Sequence, residues 1–193
     1  VPGALTRQTL AVVPAPKRVE IGMEVLGYVQ NQTGPACQSP RASTAATRLG
    51  QRVFGPDTSA HIIVVPTLQQ GAVALPGGLF VLDYGMLQAA DDPAVAAGYL
   101  LAAHTVAMDR DPLETILKAA GLGTTFRLLT TGEVPDTILQ NSASKVVEAA
   151  QATPDPGHLT MAFASAPIPQ APYLAAVDAR TGSMPNLETD PLA

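Results

Sequence analysis

The chain has 193 residues, of which 47% are hydrophobic and 14% charged, with a formal net charge of −5 and a pI near 5.0. That length suits one domain with enough apolar material for a core, much of it alanine, so close helix packing is expected. The acidic balance and the absence of any Lys/Arg run argue against a nucleic-acid face and against attraction to anionic membranes. Cys37 stands alone, which excludes an internal disulfide. The longest apolar stretch, Ala94 to Met108, falls short of the ~18 residues a membrane span needs.

Residues 1–16 are broken by proline and read as an N-terminal arm. Over 17–32, Val19, Met23, Leu26 and Val29 recur at helical spacing. After a TGPACQSP loop, Ser43 is placed to cap a helix running to Phe54, with Ala46, Leu49, Val53 and Phe54 inside and Gly55-Pro56 ending it. HIIVVP, 61–66, reads as a buried strand, Ala72–Leu75 as a second extended piece, Pro76-Gly77-Gly78 as a turn and Leu79–Leu82 as a third strand. Gly85 and Met86 lead into a short helix.

Asp91-Asp92-Pro93 then starts a helix over 93–109, apolar nearly all round. Further helices are expected after Pro112 and from Asp136 or Thr137 to about Ala152, separated by a turn at 131–136. The segment from 154 to 193 holds seven prolines. Beyond a short helix near His158–Ser165 it is expected to be extended, wrapping the domain or meeting a partner. Helices, a small sheet, then helices make the fold class α+β, organised as an arm (1–16), a domain (17–153) and a Pro-rich C-terminal extension (154–193).

One residue on the apolar helix invites chemistry. His104 has Thr105 after it and Met108 four residues on. Two histidines at i and i+4 share a helix face and can grip zinc, and a glutamate directly after the first can serve as general base. Here only His104 fits that pattern. Thr105 cannot accept a proton from water near neutral pH, and the Met108 thioether suits zinc poorly. Asp109 and Asp111 lie on other faces or too far along the axis to replace them. Taken alone, the stretch reads as a core helix whose histidine has its nitrogens hydrogen-bonded.

The neighbourhood adds a resemblance. Ala74-Leu75-Pro76-Gly77-Gly78, an apolar strand, Gly85-Met86-Leu87, the approach from Asp91 to Ala103 and RLGQRVF at 48–54 fall in the order seen in zinc metallopeptidases of the HtpX, BepA and CAAX prenyl protease family. The similarity covers about Val19 to Asp111. It implies a zincin-like domain, with zinc as cofactor where the site is intact. It also marks the departures: Gly71 replaces the family's asparagine, Thr105 the catalytic glutamate and Met108 the second zinc histidine. The third ligand's nearest counterpart is Glu148 in VVEAA, which by itself reads as an exposed helix residue paired with Lys145 at i, i+3.

The resemblance therefore implies a catalytically inactive, metallopeptidase-like domain that keeps only His104 and Glu148 as vestigial ligand positions, with no cofactor expected. A protein- or peptide-binding or scaffold role follows, in a bacterial periplasmic or envelope setting and reached through a removed leader or lipid anchor. The sequence's own support for that setting is that it begins at Val1. In the family the strand and loop corresponding to Gly71, Ala72, Val73, Ala74, Leu75, Pro76, Gly77 and Gly78 border the substrate cleft, so these eight are the candidate peptide groove. They read equally as a plain hairpin connection. The alternative is an active zinc endopeptidase using His104, Glu148 and a further ligand such as His158. His61, opening a strand, and His158, in the Pro/Gly-rich loop PDPGHL, each read as a surface or capping residue, Cys37 lacks a neighbouring base, and G-L-G at 121–123 reads as a helix end.

Overall fold

The structure, a computed structural model, describes residues 8–182. Its elements in chain order are α1 (Ala15–Thr33), α2 (Pro40–Phe54), β1 (His61–Val65), β2 (Ala72–Leu75), β3 (Leu79–Asp83), α3 (Tyr84–Ala89), α4 (Pro93–Asp109), α5 (Pro112–Thr131), α6 (Asp136–Ala149), α7 (Pro156–Ser165) and α8 (Ala171–Thr181). This is an α+β arrangement in which helices cover both faces of a three-stranded sheet.

The sheet order is β1-β3-β2, with β1 parallel and β2 antiparallel to β3. Side chains alternate along the strands. Val73, Leu75, Leu79 and Val81 join a core with Ile21 and Val25 of α1, Leu113 and Ile116 of α5 and Leu139 of α6. Ala72, Ala74, Phe80 and Leu82 face the other way, into a core with α4, Phe163 of α7 and Tyr173 of α8. Burial on both faces is why AVAL and LFVL are continuous apolar runs with no polar alternation. β1 is half-buried, not largely buried, because only Val65 is fully covered.

Two glycines allow close approaches that set this architecture. A Cβ on Gly22 of α1 would lie 2.1 Å from the Pro76 carbonyl oxygen, so α1 is pressed directly onto the β2–β3 turn. A Cβ on Gly98 of α4 would lie 2.4 Å from Tyr173 Cβ, so α8 sits flush on α4. Asp92 caps α4 by accepting from the Ala94 N–H at 2.7 Å, and Asp111 caps α5 by accepting from Leu113 N–H at 2.9 Å. Among the described residues no helix is long and apolar enough to cross a membrane.

Several expectations are corrected. The stretch beyond α7 is not all extended: Ala171–Thr181 is helical. Its proline, Pro172, lies in the first turn, where the missing N–H has no intrahelical partner to lose. The remainder of the expected extension, residues 183–193, lies outside the described residues, as does 1–7 of the arm. Residues 8–12 of the arm are helical. Ser43 does not cap α2, which begins at Pro40. Its hydroxyl instead donates back to the Ser39 carbonyl at 3.1 Å. Met23 is 51% exposed, because α1 buries the stripe of Ile21, Val25, Leu26 and Val29. Neither Asp136 nor Thr137 is the N-cap of α6, which is Pro135 without a side-chain bond. The helix end read at G-L-G is present: Gly121 takes φ +81° and ψ 176°, a non-helical break that divides α5 into two helical pieces.

Candidate functional site

α4 lies between two clefts. Its stripe of Leu101, His104, Thr105 and Met108 faces one, and its stripe of Tyr99, Ala102, Ala103 and Val106 faces the other. Each set follows the i, i+3, i+4, i+7 spacing of a single helix face.

The histidine cleft encloses about 810 Å³. Its far wall is α7, which presents His158, Met161, Ala162 and Ser165 at the same spacing, and Arg52 to Gly55 at the end of α2 close one side. His104 is half-buried, with the Phe54 ring edge-on at 5.2 Å between centroids and Phe80 at 6.2 Å. Neither of its ring nitrogens has a hydrogen-bond partner among the described residues. The ring packs against both aromatic side chains, and no group of the described residues supplies the hydrogen bonds expected of a core histidine. Burial pushes its pKa down, favouring the neutral imidazole.

Thr105 is buried, and its hydroxyl donates to the Leu101 carbonyl at 2.9 Å, within its own helix. The hydroxyl at the resemblance's general-base position is therefore engaged by the backbone of its own helix. Met108 is 74% exposed and Met161 59%. His158 is not in a loop but in the first turn of α7. Its backbone N–H donates to the N-cap Asp155, and its Nδ1 lies 2.8 Å from Asp109 Oδ1. His61 opens β1 and is exposed.

Glu148 is exposed on α6, does not line this cleft and forms no ion pair with Lys145 among the described residues. No three His, Cys, Asp or Glu side chains among the described residues gather into a metal-binding group. A hydrolytic zinc ion needs three protein ligands of nitrogen, oxygen or thiolate type and a base for its water. The residues here do not fit that group.

The second cleft runs beside the outer edge of β2 and encloses about 420 Å³. Because β2 pairs only with β3, its other edge faces away from the sheet. The Asp83 N–H donates to the Gly71 carbonyl at 2.9 Å, which makes 71 and 83 a hydrogen-bonded pair. In the antiparallel register the bonding positions then alternate, so Gly71, Val73 and Leu75 pair inward while the N–H and C=O of Ala72 and Ala74 point outward. Those outward groups have no backbone partner among the described residues. Ala74 is covered by the end of α6 (Val146, Ala149, Ala150), whereas Ala72 borders the cleft beside Gln69, Gln70 and Tyr99.

Of the eight expected groove residues, Gly71 to Pro76 are buried, and Pro76 to Gly78 turn under α1. Only the Ala72 end meets the open cleft. His104 and this edge, which the resemblance would join in one cleft, are separated by the width of α4.

The mouth of the edge cleft is organised by residues the sequence reading did not single out. Arg180 of α8 donates to the Gln69 carbonyl at 2.6 Å, lies 3.6 Å from Asp83 Oδ2 and stands over the Tyr99 ring at 5.7 Å. Asp83 is buried and accepts from Leu68 N–H at 3.0 Å and from Met86 N–H at 2.8 Å, capping α3. An Asp-Tyr-Gly sequence after a strand was the available signal for that cap. Arg180 had none, because α8 was expected to be extended. Gly71 holds φ +78°, and a Cβ there would meet Tyr99 Cε1 at 2.6 Å, which accounts for glycine at this position. Burial raises the Tyr99 pKa and raises that of Tyr173 further, so both phenols stay neutral. Tyr99 and Tyr173 meet edge-to-face at 5.2 Å and form the apolar floor. No family model matches the chain, and no curated protein matches it.

Proposed function

We propose that this chain is a catalytically inactive, metallopeptidase-like domain of zincin type that binds an extended peptide or protein segment, in a bacterial envelope setting. The observation that carries the reading is the outer edge of β2: the Ala72 N–H and C=O point out of the sheet, without a backbone partner among the described residues, beside an apolar cleft floored by Tyr99 and Tyr173. Buried backbone groups need partners, and an added strand supplies both a donor and an acceptor. A side chain of the added segment fits the cleft while its backbone pairs with Ala72. The envelope setting and the zincin type rest on the resemblance of residues 19–111.

The loss of catalysis is supported by Thr105, whose hydroxyl is bonded to its own helix, and by Glu148, which lies outside the His104 cleft. An active zinc peptidase would need His104, His158 and Glu148 on one ion, and only the two histidines share a cleft.

The test is selection of peptides from a random displayed library on the full chain, followed by titration of the selected peptide. Ala72→Pro removes the outward N–H without removing a β2–β3 bond, since that N–H faces away from β3. Binding is expected to weaken at least tenfold in this variant, with the amide signal of Ala72 shifting on titration of the unaltered chain. Failure to select any peptide, or a bound peptide that leaves the Ala72 amide unshifted, would overturn the reading.

A further inference from the structure

The histidine cleft has its own chemistry, independent of the peptide reading. α4 and α7 meet along it as opposed stripes, Leu101, His104, Thr105, Met108 against His158, Met161, Ala162, Ser165. Near one end His158 touches Asp109. Each helix thereby contributes one imidazole and one thioether: His104 and Met108 at i, i+4, and His158 and Met161 at i, i+3. Such spacings put both members of each pair on one face.

The two methionines are among the few large hydrophobic side chains left exposed, at 74% and 59%. Packing does not explain them, since neither contributes to either core. Both line a cleft that also holds the two histidines.

We propose that these four residues form a binding site for a soft monovalent metal ion, Cu(I), held by the imidazoles of His104 and His158 and the thioethers of Met108 and Met161. Thioether sulfur is a poor ligand for zinc and a good one for Cu(I), which accepts four-coordinate nitrogen and sulfur surroundings. The substitution that removes the zinc pattern, methionine one turn after His104, is the one that makes the soft site. Asp109 acts as a positioning residue. Its carboxylate at 2.8 Å from His158 Nδ1 fixes a proton there and leaves Nε2 as the ligating nitrogen, an arrangement common around metal-bound histidine. His104 has both nitrogens without a partner among the described residues, and its ring packs against Phe54. Long, unbranched methionine side chains adjust to close a wide cleft around an ion. The ion is bound as Cu(I) and released as Cu(I), with no electron transferred.

The experiment is anaerobic titration of the full chain with Cu(I), in competition with the colorimetric chelator bicinchoninate. It is run in a Cys37→Ser background because the exposed thiol of Cys37 is itself a Cu(I) ligand. One Cu(I) per chain is expected, with X-ray absorption showing sulfur scattering. Met108→Leu and Met161→Leu should each weaken binding at least tenfold, and His158→Gln similarly. The double methionine variant should lose the sulfur scattering altogether. Both leucine changes are volume-conserving and exposed, so an unchanged circular dichroism spectrum separates lost binding from lost fold. Absence of one-to-one binding, affinity unaltered in both leucine variants, or Zn(II) displacing Cu(I) from the same residues would overturn the proposal.

Discussion

Two helical glycines should respond to alanine with opposite signs. In an exposed helix interior, Gly→Ala stabilises by roughly 0.8–1 kcal/mol, because alanine loses less backbone entropy on folding. Gly27 of α1 is such a case, exposed and with nothing within 4 Å of a built Cβ. Gly98 of α4 gains the same propensity, but its Cβ would lie 2.4, 2.6 and 2.8 Å from Cβ, Cγ and Cδ2 of Tyr173. The first of these atoms is fixed to the α8 backbone, so rotation of the side chain cannot relieve the overlap and α8 must move as a body. Overpacking of this kind costs roughly 1–3 kcal/mol. Three contacts under 3.0 Å put Gly98 near the upper end, about 3 kcal/mol. Subtracting about 1 kcal/mol of propensity leaves a net destabilisation of about 2 kcal/mol. The assay is urea denaturation of Gly98→Ala and Gly27→Ala beside the parent, followed by circular dichroism. A Gly98→Ala chain as stable as Gly27→Ala would refute the flush contact between α4 and α8, and with it the edge cleft those helices line.

Asp83→Ala strips the partner from the Leu68 and Met86 N–H groups and from Arg180, and should destabilise by about 3 kcal/mol in the same assay. For His104 the folded pKa lies below its unfolded value of about 6.5, so the unfolded chain takes up the proton first. Its contribution to stability is therefore present above about pH 6.5 and declines as the pH falls below that value. His104→Gln should show a smaller drop in Tm than the parent between about pH 7.5 and about pH 5.5. An equal drop in both would show that His104 does not titrate against burial.

The local elements were legible from residue types alone. Asp92-Pro93 fixed the start of α4 because an acidic cap and a first-turn proline each satisfy a terminal need of the helix. The β-branched run at 61–65 and the Pro-Gly-Gly turn placed the strands because glycine alone tolerates the positive φ at positions 77 and 78. The lack of a second histidine after His104, and of a carboxylate beside it, was equally plain from the sequence.

What the sequence could not decide was which helix faces meet. α4 is apolar nearly all round, so its composition does not distinguish the face toward Phe54 from the face toward Tyr173. Only the tertiary structure puts His104 and the β2 edge on opposite sides of it. The proline-rich stretch from 154 hid α8, because prolines that begin helices look the same in sequence as prolines that break them. His158, 54 residues beyond His104, joins its cleft through the packing of α7 on α4, a long-range contact to which local spacing is blind. Arg180 is tied to Gln69 and Asp83 across the fold for the same reason.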